Sequence, residues 1–472
     1  MNQPLGHLPT DSSKPLSPHL VTAVPGPSSV AWVDQLVRYE CPAITARRSR
    51  RSEQTGITQD PIVWDRAQGA NVWDVDGNRY VDLTGAFAVM SMGHTHPAVT
   101  DAIAHQAGRL IHGMGDVFPS VPKIELTRRL ADIAPGDLSQ SILAHSGAAA
   151  VEAALKTAVM ATGKSGVIAF HGAYHGLSYG ALGATAYRRS FREPFRAQLN
   201  AQVVHAPYPG ADGGPYPATE RGAQESLAYL EYLLSTPATG VGSVGAILFE
   251  PIQGRGGEIT PPDSWVRGLR RLADRHGIVL IADEIYSGFG RTGRWFACDH
   301  AGVVPDILCV GKALGGGLPV SAAIGRPTVM AGWGHSQGEA IHTSTFLGNP
   351  VGCAAALAAL DVLELEHLVT RAATLGAWLH SELEQLRRRH PTRLGQTRGR
   401  GLMLGLPVED EHGNPSGAFG LQVVGHMLRH GYIMLPSGVY GHVLAFAPPL
   451  TISRVQLAGA LATLDSVLSE LD

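Results

Sequence analysis

Four short apolar runs alternate with amphipathic stretches through the middle of this chain: GVIAF (166–170), VGAILF (244–249), GIVLIA (277–282) and DILCVG (306–311). Each is too short for a core helix and carries almost no polar residue, which is the pattern of a strand buried on both faces. Between them the apolar spacing predicts helices over 147–162, 220–234 and 263–275. Buried strands separated by helices imply an α/β fold, a mostly parallel sheet covered by helices on both faces.

The flanks read differently. VWDVDGNRYVDLTG (72–85) predicts two short strands around an Asp76–Gly77 turn, and 96–111 and 123–134 have helical spacing. A last helix starts at Ser453 with Gln456 three residues on, a capping box. Its expected apolar face is Val455, Leu457, Leu461, Leu464, Leu468 and Leu471. The expected organisation is a flexible Pro/Ser-rich tail (1–30), an N-terminal segment that joins a small domain (31–95), a large domain (96–345) and a C-terminal small α+β domain (346–472).

A length of 472 residues calls for more than one lobe. With 44% hydrophobic and 16% charged residues the chain is globular, and a net charge of −3 offers nothing to nucleic acid or an anionic membrane. No run reaches the length of a membrane span, and the N-terminus lacks a secretory pattern. Cys41, Cys298, Cys309 and Cys353 are widely spaced, so they read as free thiols of a cytoplasmic protein.

Ligands of open α/β sheets bind beyond the carboxyl ends of the strands. Here those ends carry Tyr174 and His175 (HGAYHG), Glu250 (EPIQG), Asp283 and Glu284 (DEIYSGFGRTG) and Lys312 (GKALGGGLP). Lys312 is one of five lysines, and the other four lie in the tail or on helices with solvated faces. A lysine at a strand end before a glycine run is placed to be desolvated, which makes its amine nucleophilic. The competing reading is a lysine that caps the sheet and pairs with Asp283 or Glu250. HSGAAAVEAALK (145–156) adds a helix start at Gly147, a candidate anion cradle. A Schiff-base lysine, an acid for a pyridinium, an aromatic to stack on a ring and a helix N-terminus for a phosphate are the requirements of pyridoxal 5'-phosphate. Lys312, Asp283, Tyr174 and Gly147–Ala148 meet them.

The stretches LIADEIYSGFGRTGRW and PDILCVGKALGGGLP resemble the class III aminotransferases, the ornithine, 4-aminobutyrate and ω-amino acid type. The resemblance runs from GANVWDVDGNRYVDL to FAPPLTIS. It implies a fold type I homodimer that moves an amino group from an amine or amino acid to a keto acid such as pyruvate, by a ping-pong mechanism through a Lys312 aldimine. It implies that Lys312 also carries the proton, that Asp283 keeps the pyridine nitrogen protonated, and that Tyr174 and Ile285 cover the two faces of the ring. It further implies phosphate contacts from Gly147 and Ala148 and from Thr345 across the subunit interface, with His175 and Glu250 beside the ring. Phe87 falls where the family has an aromatic lining the substrate pocket.

Three departures stand out. The family stretch reads Ser-Gly-(Ser/Thr)-Glu-Ala, and here Ala148 and Ala149 replace the hydroxyl and the acid. Ala445 stands where many members carry a carboxylate-binding arginine, and Arg255 where many carry an acid. Arg255 is therefore a candidate clamp for a substrate carboxylate, against the plain reading of an exposed loop arginine. Racemisation, epimerisation or decarboxylation on the same fold are the alternatives. A metal hydrolase using His94, His96, His171 and His175 is the alternative from another class, although no HExxH motif is present and the expected metal is none.

Overall fold

The computed structural model describes residues 16–45, 61–335 and 338–471. Its centre is a seven-stranded sheet in the spatial order Gln140–Ala144, Ser321–Gly325, Ile307–Val310, Val279–Asp283, Val244–Phe249, Gly166–Phe170 and Val203–Ala206. The last five run parallel to one another. All four apolar runs are strands of this sheet, and the helices are Gly147–Thr162, Glu220–Ser235 and Asp263–His276.

Side-chain alternation sorts the strand residues into two cores. Val167, Ala169, Leu248 and Ile281 pack with Val151 and Ala154 of helix Gly147–Thr162. Ile168, Phe170, Ile247, Phe249 and Leu280 pack on the other face with Trp265 and Leu269. Strand Ser321–Gly325 is antiparallel to both neighbours. The link from Val310 through the Lys312–Gly315 turn is too short for a crossover, so the chain doubles back.

Two four-stranded sheets flank the centre. Trp64–Gln68, Asn71–Asp74 and Arg79–Asp82 form a meander, and Tyr432–Ile433 pairs parallel with its last strand. Arg398–Arg400, Met403–Pro407, Val443–Phe446 and Leu435–Ser437 form the other, antiparallel throughout. The helices expected over 96–111 and 123–134 are Pro97–Arg109 and Val121–Ile133, and helix Pro350–Leu365 packs on both.

Two expectations are corrected. Residues 16–30 are not a loose lead-in: His19 pairs with Arg79, Val21 and Thr22 donate to Asn78 Oδ1, and a helix begins at Pro27. Residues 1–15 of that tail lie outside the described residues. The Ser453–Gln456 box forms, with Gln456 N donating to Ser453 Oγ at 3.1 Å and Ser453 N to Gln456 Oε1 at 3.2 Å. Val455, however, is 65% exposed, because two residues before the buried Leu457 it falls on the opposite side of the helix.

Candidate functional site

The carboxyl ends of the parallel strands converge on one cluster of polar groups. Asp283 ends its strand buried, and His175 Nδ1 lies 2.7 Å from its Oδ2. Its Oδ1 accepts from Ile285 N–H at 3.1 Å. Glu250, also buried, accepts from Tyr174 N–H at 2.9 Å and from Gly254 N–H at 3.0 Å. Burial pushes the Glu250 carboxyl up to about 7, a rise that His175 opposes and Asp283 reinforces. Lys312 starts the turn after its strand with φ +42°, a left-handed conformation that costs a non-glycine residue free energy. Its Nζ lies 5.0 Å from the centre of the Tyr286 ring. Desolvation pulls the amine's pKa down, while the charges of Asp283 and Glu250 pull it back up.

Beside this cluster helix Gly147–Thr162 presents its N-terminus. Ser146 caps it, its Oγ accepting from Ala149 N–H at 3.1 Å, and Ser146 O accepts from Ala150 N–H. The N–H groups of Gly147 and Ala148 have no acceptor within the helix. Packing is close at the glycine: a Cβ at Gly147 would sit 2.9 Å from Ile285 Cδ1 and push that side chain aside. Gly176, at φ +120°, approaches the same helix so closely that its Cβ would meet Ala148 Cβ at 2.5 Å. The helix start, Ile285 and the 174–176 loop thus pack together beside Asp283.

Phe87, Arg255 and Ala445, distant in sequence, line one cavity of about 140 Å³ with Glu258, Tyr286 and Ser437. Phe87 is carried on a left-handed turn in which Gly85, Ala86, Phe87 and Ala88 have φ +54°, +48°, +64° and +61°. Asp82 pins this turn, accepting from Thr84 N–H at 2.8 Å, Thr84 Oγ1 at 2.7 Å and Ala86 N–H at 3.1 Å. Arg255 is exposed in its loop, but its guanidinium stacks 5.0 Å from the Tyr174 ring centre and 4.9 Å from that of Tyr187.

Thr345 is exposed. Glu284 turns away from the cluster and holds the following loop, accepting from Ala297 and Cys298 N–H at 2.8 Å. The four histidines do not assemble: His94 bonds Asp82, His96 bonds Glu366, and His175 bonds Asp283. Among the described residues no three His, Cys, Asp or Glu side chains are grouped to hold a metal ion. Sequence reasoning missed Tyr187 and Glu258. Glu258 is buried, accepts from Ser437 Oγ at 2.7 Å, and is pushed up to about 8 by burial.

A sequence model of the family described as aminotransferase class-III matches residues 53–468. The chain is 36% identical over 440 residues to a 5-aminovalerate aminotransferase of Pseudomonas aeruginosa, covering 90% of this chain and 98% of that protein. It is also 36% identical over 422 residues to an isoleucine 2-epimerase of Lentilactobacillus buchneri, covering 87% and 90%. The solved (S)-enantioselective ω-transaminase of Thermomicrobium roseum superposes with a TM-score of 0.82 at 29% identity, covering 94% of this chain and 98% of that one.

Proposed function

The chain belongs to the class-III aminotransferase family, and from that premise we propose which of its residues perform the transfer of an amino group to a keto acid. Its cofactor is pyridoxal phosphate. The residues fit that group. Asp283 is a buried carboxylate, Ile285 packs between it and the helix start at Gly147, a desolvated lysine feels its charge, and the N–H groups of Gly147 and Ala148 are free of helix acceptors for an anion.

Bound there, the cofactor supplies a pyridine ring that withdraws electrons from the carbon bearing the substrate nitrogen. Asp283, oriented by His175, holds a proton on the ring nitrogen. Tyr174 and Ile285 would cover the two faces of that ring. Gly147 and Ala148 N–H hold the phosphate. Lys312 would hold the cofactor through Nζ and, once the substrate amine has displaced that nitrogen, would use the freed Nζ to move a proton at the substrate's α-carbon. The reaction runs in two half-reactions, with the donor's keto product leaving before the acceptor enters. Arg255 clamps a substrate carboxylate in place of an arginine at 445, and Phe87 sets an apolar wall for the donor.

Thr345 acts from the neighbouring subunit of a homodimer. Ile111, Met114, Val117, Phe118 and Val121, together with Phe346 next to Thr345, make an exposed apolar area that a second copy would cover. Among the described residues no helix is long and apolar enough to cross a membrane. Three of the free cysteines are buried and Cys41 is exposed, which suits a cytoplasmic enzyme.

The observation that carries the reading is Lys312, strained and desolvated within the field of Asp283 and Glu250. Borohydride reduction of the holoenzyme followed by peptide mapping should place the cofactor's mass on Lys312; a label elsewhere refutes the assignment. The 36% identity to the isoleucine epimerase makes epimerisation the second reading. Donors offered with pyruvate in D2O separate the two. Amino transfer to pyruvate is expected, whereas α-deuteration and inversion without transfer would establish the epimerase.

A further inference from the structure

A second cavity, of about 570 Å³, opens beside the edge strand Val203–Ala206 and shares no lining residue with the substrate cavity. Arg188, Arg192 and Arg196 line it at four-residue intervals, opposite His171 and His205. Leu199 and Val203 give it an apolar floor.

Its charge is poorly compensated. The one carboxylate on its wall, Glu193, is held by Arg189 through contacts of 2.9 and 3.2 Å, and its field reaches Arg196 from farther away. Arg188 Nε donates to Val439 O at 3.0 Å. Arg192 Nε and His205 Nε2 are buried without a hydrogen-bond partner. Burial and then the Arg196 charge depress the pKa of Arg192, and burial and then Arg192 push His205 down to about 4. Like charges spaced by four residues repel unless something neutralises them. Converging guanidinium groups around a partly buried recess are the chemistry that recognises oxyanions. The recess is far larger than an inorganic ion and falls within the roughly 300–1,000 Å³ of small-molecule sites.

We propose that this cavity is a second ligand site, which binds a phosphate monoester with its dianion on Arg192 and Arg196 and its organic body over Leu199 and Val203. Two cations match a dianion better than a lone carboxylate. The apolar floor favours an ester over the free ion.

Calorimetry on the holoenzyme, with cofactor content checked by absorbance before and after, tests this with phenyl phosphate, inorganic phosphate and benzoate as probes. Phenyl phosphate should bind saturably, one per chain, and more tightly than the other two. The double variant Arg192→Gln/Arg196→Gln should bind it roughly tenfold or more weakly, with basal transamination unchanged. Arg196→Gln alone, at an exposed position, should also weaken binding and serves if the double variant does not fold. Absence of saturable binding to the wild type, undiminished affinity in a folded variant, or heat that tracks loss of cofactor would overturn the proposal.

Discussion

Asp283 Oδ2 and His175 Nδ1 lie 2.7 Å apart, and both residues are buried. The carboxylate's second oxygen is occupied by Ile285 N–H, so its direction is fixed from two sides. Asp283→Asn keeps this shape and removes the charge that, on the proposed function, holds a proton on the cofactor ring. Its kcat/KM should fall by about 10²-fold or more. His175→Gln only loosens the carboxylate and should cost about 10- to 100-fold. Steady-state rates with one donor–acceptor pair check the ranking, and equal losses would contradict it.

On the proposed function, Ala148 presents a methyl group where a hydroxyl would reach the cofactor's phosphate. Ala148→Ser should tighten cofactor binding, because a hydrogen bond to a dianion contributes about 1.5–3 kcal/mol. The close approach of Gly176 leaves the new hydroxyl only the rotamers that point away from that loop. Equilibrium dialysis of the cofactor against both proteins measures the gain. Unchanged retention would mean that the backbone N–H groups already satisfy the phosphate.

That Lys312, Asp283, Glu250 and Gly147 come together was legible because each follows or begins an element whose pattern is strong, and sheet topology then brings strand ends together. The substrate side was less legible. Ala86-Phe87-Ala88 has no residue that prefers a left-handed backbone, so nothing local announces the turn; Asp82 and the packing of Gly85 on Ala447 impose it. Arg255 read as an even choice between clamp and loop residue, since Tyr187, the second ring it stacks on, is far away in sequence. Strand Ser321–Gly325 was missed because Ala-Ala-Ile between Ser and Gly is too weak a run to stand out. Glu258 carried no signal, because a buried acid in a glycine loop reads as a solvated one.

That acid should make stability depend on pH. Burial raises the Glu258 carboxyl from an ordinary 4.5 to about 8. Between these values the folded chain keeps a proton that the unfolded chain has released. The contribution is fully present below pH 4.5 and is lost as pH rises to about 8. Tm should therefore decline across that window. Glu258→Gln, which cannot ionise, should flatten part of the decline, and Glu250 and Glu284, each raised to about 7, should account for a remaining slope at lower pH. A Tm–pH profile of both proteins decides it.

Arg255 reaches over Tyr174 and Tyr187 toward the cavity that Ala445 leaves without a cation. Arg255→Leu should raise the KM of a keto acid by roughly 10- to 100-fold, the value of a charge-assisted pair, and hardly alter that of an amine lacking a carboxylate. Arg255→Lys should recover little, because a compact ammonium loses both the fork and the stacking. Initial rates with pyruvate and with an aryl amine as varied substrates separate the two effects.

The turn that carries Phe87 holds Ala86 at φ +48°, where a Cβ costs about 1–2 kcal/mol. Ala86→Gly removes that cost but adds about 0.5–1 kcal/mol of unfolded-chain entropy, so a small net stabilisation is expected. Asp82→Asn acts in the opposite direction. Its carboxylate accepts from Thr84 N–H, Thr84 Oγ1 and Ala86 N–H and also contacts His94 Nε2 at 2.9 Å, and an amide cannot satisfy all four. The buried group left unpaired should lower stability by about 1–3 kcal/mol. It should also release Phe87 from the cavity wall, so that KM for an aryl amine rises while KM for pyruvate, set by Arg255, holds. Denaturant unfolding and donor-varied kinetics on the same preparations test both halves. A destabilised Asp82→Asn protein with an unaltered donor KM would show that the turn does not position Phe87 for the substrate.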